Sequence, residues 1–271
     1  MYWSKVKTAL IALFALINIF LVITIIYNSA KDRKEERRMI ESAVSVLQKN
    51  NIEVSVDQVP EKTEKMKVIA VQSYTYDKQE LAKKLVGAET AVETRGAYSR
   101  FEDGERSLSV KNNLFYFEDK SSSPVQVDEQ TVKSTTGQLA DLGFDMTDVY
   151  TKVSSGEIEY TALLDGREIF ANNLRVVPGQ NGPASIGGSW ITVIQGEEKK
   201  FEVSPAYIAL LNFLRDDDRP TNRPVKITAI ELGYSVMLGI AEVDYITADA
   251  VPTWRIEINN GIDFFYDARP M

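Results

Sequence analysis

The chain contains neither cysteine nor histidine. Without cysteine there are no disulfides, thiolate metal sites, cysteine nucleophiles or cysteine-linked lipid anchors. Without histidine the chain lacks the usual general base and the commonest metal ligand, so Ser–His and Cys–His catalysis are excluded. Carboxylate-only and Ser–Lys chemistry stay open. A basic stripe is also missing. Residues 1–38 hold seven Lys/Arg and three Asp/Glu, and the other 24 basic and 36 acidic residues leave the rest of the chain at a net −12. That balance argues against nucleic-acid binding, which needs phosphate neutralisation, and against flat docking on anionic lipid.

What is present is a 271-residue chain, 44% hydrophobic and 26% charged, enough for one large domain or two small ones. Near its start, TALIALFALINIFLVITIIY (Thr8–Tyr27) runs 20 residues without a charge. As a helix this stretch spans roughly 30 Å, the thickness of a bilayer hydrocarbon core. Trp3 and Tyr27 lie near its ends, where aromatic rings favour the interface. The run is longer than a signal-peptide core, and the cleavage-like Asn28-Ser29-Ala30 has a poor first residue, so an uncleaved transmembrane anchor is expected. The bare Lys/Arg count favours a cytoplasmic C-terminal part, but Asp32, Glu35 and Glu36 interrupt the downstream cations. Charge therefore leaves the orientation open.

At 100° per residue, Thr8, Ala12, Ala15 and Asn18 share one face of that helix. Small residues admit a neighbouring helix, and Asn18 can hydrogen-bond across the gap. These four are the candidate partner-contact residues. An accidental stripe on a plain tether is the alternative.

After the anchor, Lys31 to about Asn50 reads as a helix with Met39, Ile40, Ala43, Val44 and Leu47 on an apolar face. VPEKTEKMK (59–67) reads as a loop and VIAVQSYTY (68–76) as a strand. DKQELAKKLVG (77–87) is a helix capped by Asp77 with Glu80, stopped by Gly87. AYSRF, RSLSV and LFYFE are short strands around Glu102-Asp103-Gly104 and Asn112-Asn113. EQTVKSTTGQLADLGF (129–144) is helical. EIEYTALL and REIFANNLRVV flank the Asp165-Gly166 hairpin. SWITVIQ (189–195) and KKFEV (199–203) read as a pair around Gly196. SPAYIALLNFLRDD (204–217) is a helix with Ser204 as N-cap, Pro205 first, and Leu210, Leu211 and Leu214 inward. VKITAIELGYSV, AEVDYITAD and VPTWRIEI follow as strands, and an Asn260-Gly261 hairpin closes the chain.

Helix-then-strands thus recurs three times, which fits an α+β fold of antiparallel sheets with helices packed on one face. The expected layout is a cytoplasmic segment (1–7), a transmembrane helix (8–27), a juxtamembrane helix (28–50) and two α+β subdomains (51–150 and 151–271).

No segment carries a convincing catalytic, metal or cofactor motif. Asp216-Asp217-Asp218 lacks the alternating ligands, glycine and distal glutamate of a calcium loop and reads as a solvated helix end. PGQNGPASIGG (178–188) matches neither phosphate-loop pattern and reads as a loop. Ser154-Ser155-Gly156 beside Lys152 reads as a turn. No carboxylate spacing supports a glycosidase pair. A non-enzyme without cofactors is expected.

Two segments carry a family resemblance. WSKVKTALIALFALINIFLV (3–22), with Trp3, Lys5, Lys7, Thr8 and Asn18, resembles the start of the YycI family, accessory regulators of the two-component system that controls cell-wall metabolism in low-GC Gram-positive bacteria. VPTWRIEINNGIDFFYDA (251–268) is similar to that family's closing hairpin. It also resembles PepSY-type modules through Pro252, Trp254, Arg255, Phe265 and Tyr266. The resemblance implies a non-enzymatic, single-pass membrane protein with its N-terminus in the cytoplasm and its C-terminal domain extracellular. It implies two YycH-like subdomains. Its partners would be a YycH-like membrane protein and the transmembrane helices of a sensor histidine kinase, and a homodimer is compatible with the same layout. The competing reading is an anchored extracellular wall-binding or scaffold protein of a division or secretion complex.

Overall fold

The computed structural model of the chain describes residues 2–73, 77–88, 90–196, 199–221, 224–236 and 247–270. The chain opens with α1 (Tyr2–Lys49), β1 (Ile52–Glu53), a single 3-10 turn (Val56–Gln58), β2 (Lys65–Met66) and β3 (Ile69–Ser73). Next come α2 (Lys78–Leu85), β4 (Glu93–Arg95), β5 (Tyr98–Asp103), β6 (Arg106–Lys111), β7 (Leu114–Asp119) and α3 (Glu129–Asp141). Then follow β8 (Val149–Ser154), β9 (Glu157–Leu164), β10 (Arg167–Gly179), β11 (Gly182–Gly188), β12 (Ile191–Gly196) and β13 (Phe201–Glu202). The last elements are α4 (Ala206–Arg215), β14 (Val225–Val236), β15 (Thr247–Ile258) and β16 (Asp263–Asp267). The architecture is α+β with a large, mainly antiparallel sheet.

The chain forms two compact units, each assembled from separate segments. One comprises Met1–Thr63, Pro205–Ile230 and Ile256–Phe264, the other Glu64–Ser204, Glu231–Arg255 and Phe265–Met271. The boundary expected between residues 150 and 151 falls inside β8.

In the first unit α1 continues without interruption from the uncharged stretch into the amphipathic one. Its last turns bury Ile40, Ala43, Val44 and Leu47, whereas Met39, expected on the same face, is 56% exposed. They pack on α4 and β1. α4 begins at Ala206, with Pro205 as N-cap in place of Ser204. It buries Ala206, Ala209, Leu210 and Phe213, while Leu211 and Leu214 are half-buried. Phe213 meets Phe264 edge-on at 5.0 Å between ring centres. β1 pairs in parallel with Val225 and Lys226 of β14.

In the second unit the hydrogen-bonded strand order is β12-β3-β15-β14-β10-β11-β7-β6-β5-β4, with β9 on β10, β8 on β9 and β16 on β15. Asp77 caps α2, its carboxylate accepting from the backbone N–H of Gln79 and Glu80, and Asp128 caps α3 by accepting from Thr131. α3 lies on β10 and β11. There the buried Tyr160 hydroxyl donates to the Val132 carbonyl at 3.2 Å. Phe144 stacks on Phe115 at 5.6 Å and meets Trp190 edge-on.

Two sequence expectations are corrected. PGQNGPASIGG is the end of β10, a tight turn and the whole of β11. Its glycines serve close approach, since a Cβ on Gly188, at φ +140°, would sit 2.0 Å from the Asn173 carbonyl oxygen. SWITVIQ and KKFEV do not pair with each other: β12 pairs with β3, and β13 pairs with β2. Local hairpin logic loses there to longer-range pairing. Residues 74–76 and 241–246 of two expected strands lie outside the described residues.

Gly188→Ala should lower the melting temperature by several degrees, because the clash and the positive φ together cost about 2 kcal/mol or more. Gly137→Ala should do the reverse. Gly137 is exposed in α3 with nothing within 4 Å of an added Cβ, so the helix should gain about 0.5–1 kcal/mol. Thermal unfolding followed by circular dichroism checks both signs.

Candidate functional site

The candidate partner-contact residues all lie on α1. Ala15 and Asn18 are exposed, and the side chains of Thr8 and Ala12 lie outside the described residues. Around them Leu13, Phe14, Leu16, Ile17, Ile19 and Phe20 are each about half or more exposed, Leu16 at 65%. The Asn18 amide donates to the Phe14 carbonyl at 2.8 Å, and the Thr24 hydroxyl donates to the Phe20 carbonyl at 2.9 Å. Each bond satisfies a polar proton within the helix, which lowers the cost of that side chain in an apolar medium. The Asn18 bond uses one of two amide protons and leaves the amide oxygen able to accept from another helix. Among the described residues no helix is long and apolar enough to cross a membrane. Six side chains of the Thr8–Tyr27 stretch, those of Thr8, Ala9, Ile11, Ala12, Ile25 and Ile26, lie outside that description.

Arg37 extends the helix surface into charge. It pairs with Glu61 at 2.8 Å, Asp57 at 3.4 Å and Glu41 at 3.6 Å, all half-exposed or more. Solvated pairs of this kind contribute little each, so the cluster orients the chain after the 3-10 turn more than it stabilises it.

A second constellation lies in the second unit, on the strand segment that resembles the YycI closing hairpin. Arg255 of β15 is only 20% exposed. Its guanidinium donates from Nε to Glu231 of β14 at 3.1 Å, makes a further, closer bond to the same carboxylate, and stands 3.6 Å from Glu168 of β10. The same guanidinium lies 4.7 Å over the ring of Phe170, a cation–π contact. Phe170 in turn packs on Phe265 of β16 at 5.6 Å. Gly233 makes room for this: a Cβ there would come within 2.5 Å of both the Glu168 carbonyl oxygen and the Phe170 ring.

Burial pushes the Glu168 carboxyl above the usual carboxylate range; Arg255 pulls it down and the Glu231 and Glu159 carboxylates push it up again. On β14, in register with Ile169, burial pushes the Tyr234 hydroxyl up to about 12. Two carboxylates share one guanidinium here, an arrangement that ties β10, β14 and β15 together. Arg255 and Phe265 carry the sequence resemblance; Glu168, Phe170, Glu231 and Gly233 have no local signal, because they meet only through strand pairing.

The acidic triplet is the end of α4. Asp216 is its C-cap and its carboxylate accepts from the Asp218 N–H. Among the described residues no group of three or more Asp or Glu is placed to hold a metal ion. Ser155 and Gly156 form the β8–β9 turn, and Lys152 faces Glu159 across the strands. Pro178–Gly182, read as part of a loop, closes the β10–β11 hairpin.

These elements define an α+β protein built on a long N-terminal helix. A family profile described as YycI protein matches residues 30–269. That range covers most of the chain, and the chain belongs to the YycI family. The match begins just after the uncharged stretch. No curated protein matches the chain. Among solved structures it is similar to an uncharacterized protein from Eubacterium rectale ATCC 33656, at 11% identity over 76% of this chain and 84% of that one, with a TM-score of 0.46. It is also similar to YycH from Bacillus subtilis, at 15% identity over 73% of this chain and 52% of that one, with a TM-score of 0.48.

The raised Glu168 carboxyl makes stability depend on pH. The folded protein holds that proton to higher pH than the unfolded chain does. Its contribution is therefore complete below the ordinary carboxylate range and is lost as pH rises through the raised value. Glu168→Gln keeps the neutral form at every pH. Its melting temperature relative to the unsubstituted protein should rise between about pH 4 and pH 7. A difference that stays constant over that range would remove Glu168 as the titrating group.

Proposed function

We propose that the protein is a non-enzymatic, single-pass membrane regulator that modulates a sensor histidine kinase of a cell-wall two-component system, together with a YycH-like partner. Membership in the YycI family supports the accessory regulatory role. The observation that carries the membrane part is the continuity of α1. One unbroken helix joins the exposed aliphatic turns around Leu13–Phe20 to the buried turns around Ile40–Leu47. At about 1.5 Å per residue such a helix is long enough to cross a bilayer and still seat its far end in a folded core.

In this reading the N-terminus is cytoplasmic, the first half of α1 crosses the membrane, and the folded chain from the end of α1 onward is extracellular. The Thr8, Ala12, Ala15 and Asn18 face meets the kinase helices. The small residues allow close backbone approach, and the Asn18 amide supplies a hydrogen bond across the helix pair. The folded units act by holding or turning the helix to which they are fused.

Crosslinking within the membrane from position 15 or 18, followed by mass spectrometry of the captured chains, tests this. Capture of a sensor kinase or a YycH-like protein is expected. Replacing Ala12, Ala15 and Asn18 together by Leu should cut kinase association severalfold while leaving the thermal unfolding of the folded units unchanged. Capture of lipid alone, with association unaffected by the triple substitution, would reduce the helix to a tether.

A further inference from the structure

Among the described residues five strands of the main sheet pair on one side only: β1, β4, β8, β12 and β16, of which β1 is two residues long and β16 carries Asp263 and Asp267. A sheet edge offers unpaired backbone groups to any passing strand, and folded proteins blunt such edges with short length, charge or bulges. β4 is three residues long and carries the Glu93–Arg95 ion pair. β12 has a register shift between Val193 and Gln195. β8, Val149-Tyr150-Thr151-Lys152-Val153-Ser154, is blunted by neither short length nor a bulge. It is regular, six residues long, free of proline, and charged only at Lys152.

The hydrogen-bond pattern shows which backbone groups are on offer. The Leu163 N–H donates to the Asp148 carbonyl at 2.9 Å. At the other end, Ser155 (φ 52°) and Gly156 (φ 83°) form a two-residue turn with both angles positive, which joins Ser154 and Glu157 as a closely bonded pair. Antiparallel bonding alternates, so Tyr150, Lys152 and Ser154 bond inward to β9. The N–H and C=O groups of Val149, Thr151 and Val153 therefore face away from the sheet. Among the described residues no strand pairs with that side. Tyr150 is 46% exposed and Val153 50% exposed.

We propose that β8 is the dimerisation edge of this protein, pairing antiparallel with β8 of a second copy about a two-fold axis through Thr151. The strand is self-complementary in that register. Val149 lies opposite the partner's Val153, and Thr151 opposite the partner's Thr151. Tyr150 lies opposite the partner's Lys152, and the reciprocal contacts follow by symmetry. All three outward-facing residues then form closely bonded pairs, giving about six backbone hydrogen bonds. One face gains two valine pairs and the other two cation–aromatic pairs. An axis through Lys152 would set two ammonium groups against each other and keep fewer bonds. An axis through Tyr150 also loses bonds and leaves Lys152 opposite the partner's Asp148, outside the strand. The bonding pattern thus selects the Thr151 register, like charge disfavours the Lys152 axis, and the self-complementary strand selects a second copy of this chain as the occupant.

Because the chain has no cysteine, a single introduced one is unique. The full chain is kept in detergent micelles, and Val149→Cys, Tyr150→Cys, Thr151→Cys, Lys152→Cys and Val153→Cys are treated with a short bismaleimide. Homotypic product should peak at position 151, severalfold above a Glu102→Cys control on β5. A mixture of the 149 and 153 variants should give more heterotypic product than either variant gives alone. Thr151→Pro removes an outward N–H that β9 does not use. It should convert dimer to monomer in sedimentation velocity while the melting temperature holds. A monomeric protein, a flat crosslinking profile, or a dimer that survives Thr151→Pro would each overturn the proposal. If Thr151→Pro fails to fold, the crosslinking register decides alone.

Discussion

β10 changes partners along its length, and the second unit depends on that change. Arg167 and Glu168 continue the hairpin with β9, Ile169 and Phe170 pair in parallel with Tyr234 and Ser235, and Asn173–Val176 return to β9 while Leu174–Gly179 pair with β11. One strand can serve three neighbours only where side chains are absent at the crossings. Gly233 admits the Glu168 backbone and Gly188 admits the Asn173 backbone, and in each case a Cβ would overlap the facing carbonyl oxygen. The register shift between Glu168 and Asn173 supplies the twist that moves the strand from one neighbour to the next.

The Arg255 constellation follows from that geometry. The shift brings Glu168 and Phe170 beside β14 and β15, where Arg255 and Glu231 already stand as cross-strand neighbours. A guanidinium with this little exposure is costly to desolvate, and two carboxylates and an aromatic face offset the cost. Both carboxylates together are more negative charge than one cation balances. The surplus falls on Glu168, the more buried of the two, and burial with the neighbouring carboxylates keeps its proton bound to a higher pH than usual.

The first unit rests on a different economy. α1 buries only the end that meets α4 and β1, through Ile40, Ala43, Val44 and Leu47. Its first half keeps large aliphatic side chains exposed, and Asn18 and Thr24 bond back to the helix carbonyls. The helix thus has one end packed in a protein core and exposed large apolar side chains from Leu10 to Ile23 toward the other.

The sequence by itself determined the local features. Where the chemistry is confined to a few residues it was legible: Asp77 as an N-cap, Asp165-Gly166 and Asn260-Gly261 as hairpin turns, although the α4 cap is Pro205 and not Ser204. The core face of α1 was legible from its spacing, Met39 excepted. The Thr8–Tyr27 stretch and the two motifs at the chain ends pointed to the YycI family before any fold was in view. Only the tertiary structure decided which strands became neighbours. Pairing across many residues leaves no local mark, so β11 was hidden in a glycine-rich segment, β12 and β13 were assigned to each other, and Glu168 and Glu231 were not linked to Arg255. It also decided that each compact unit is assembled from three separate stretches of chain. Backbone approach at Gly188 and Gly233 depends on a strand that arrives from elsewhere in the sequence, and no periodicity within either segment encodes that arrival.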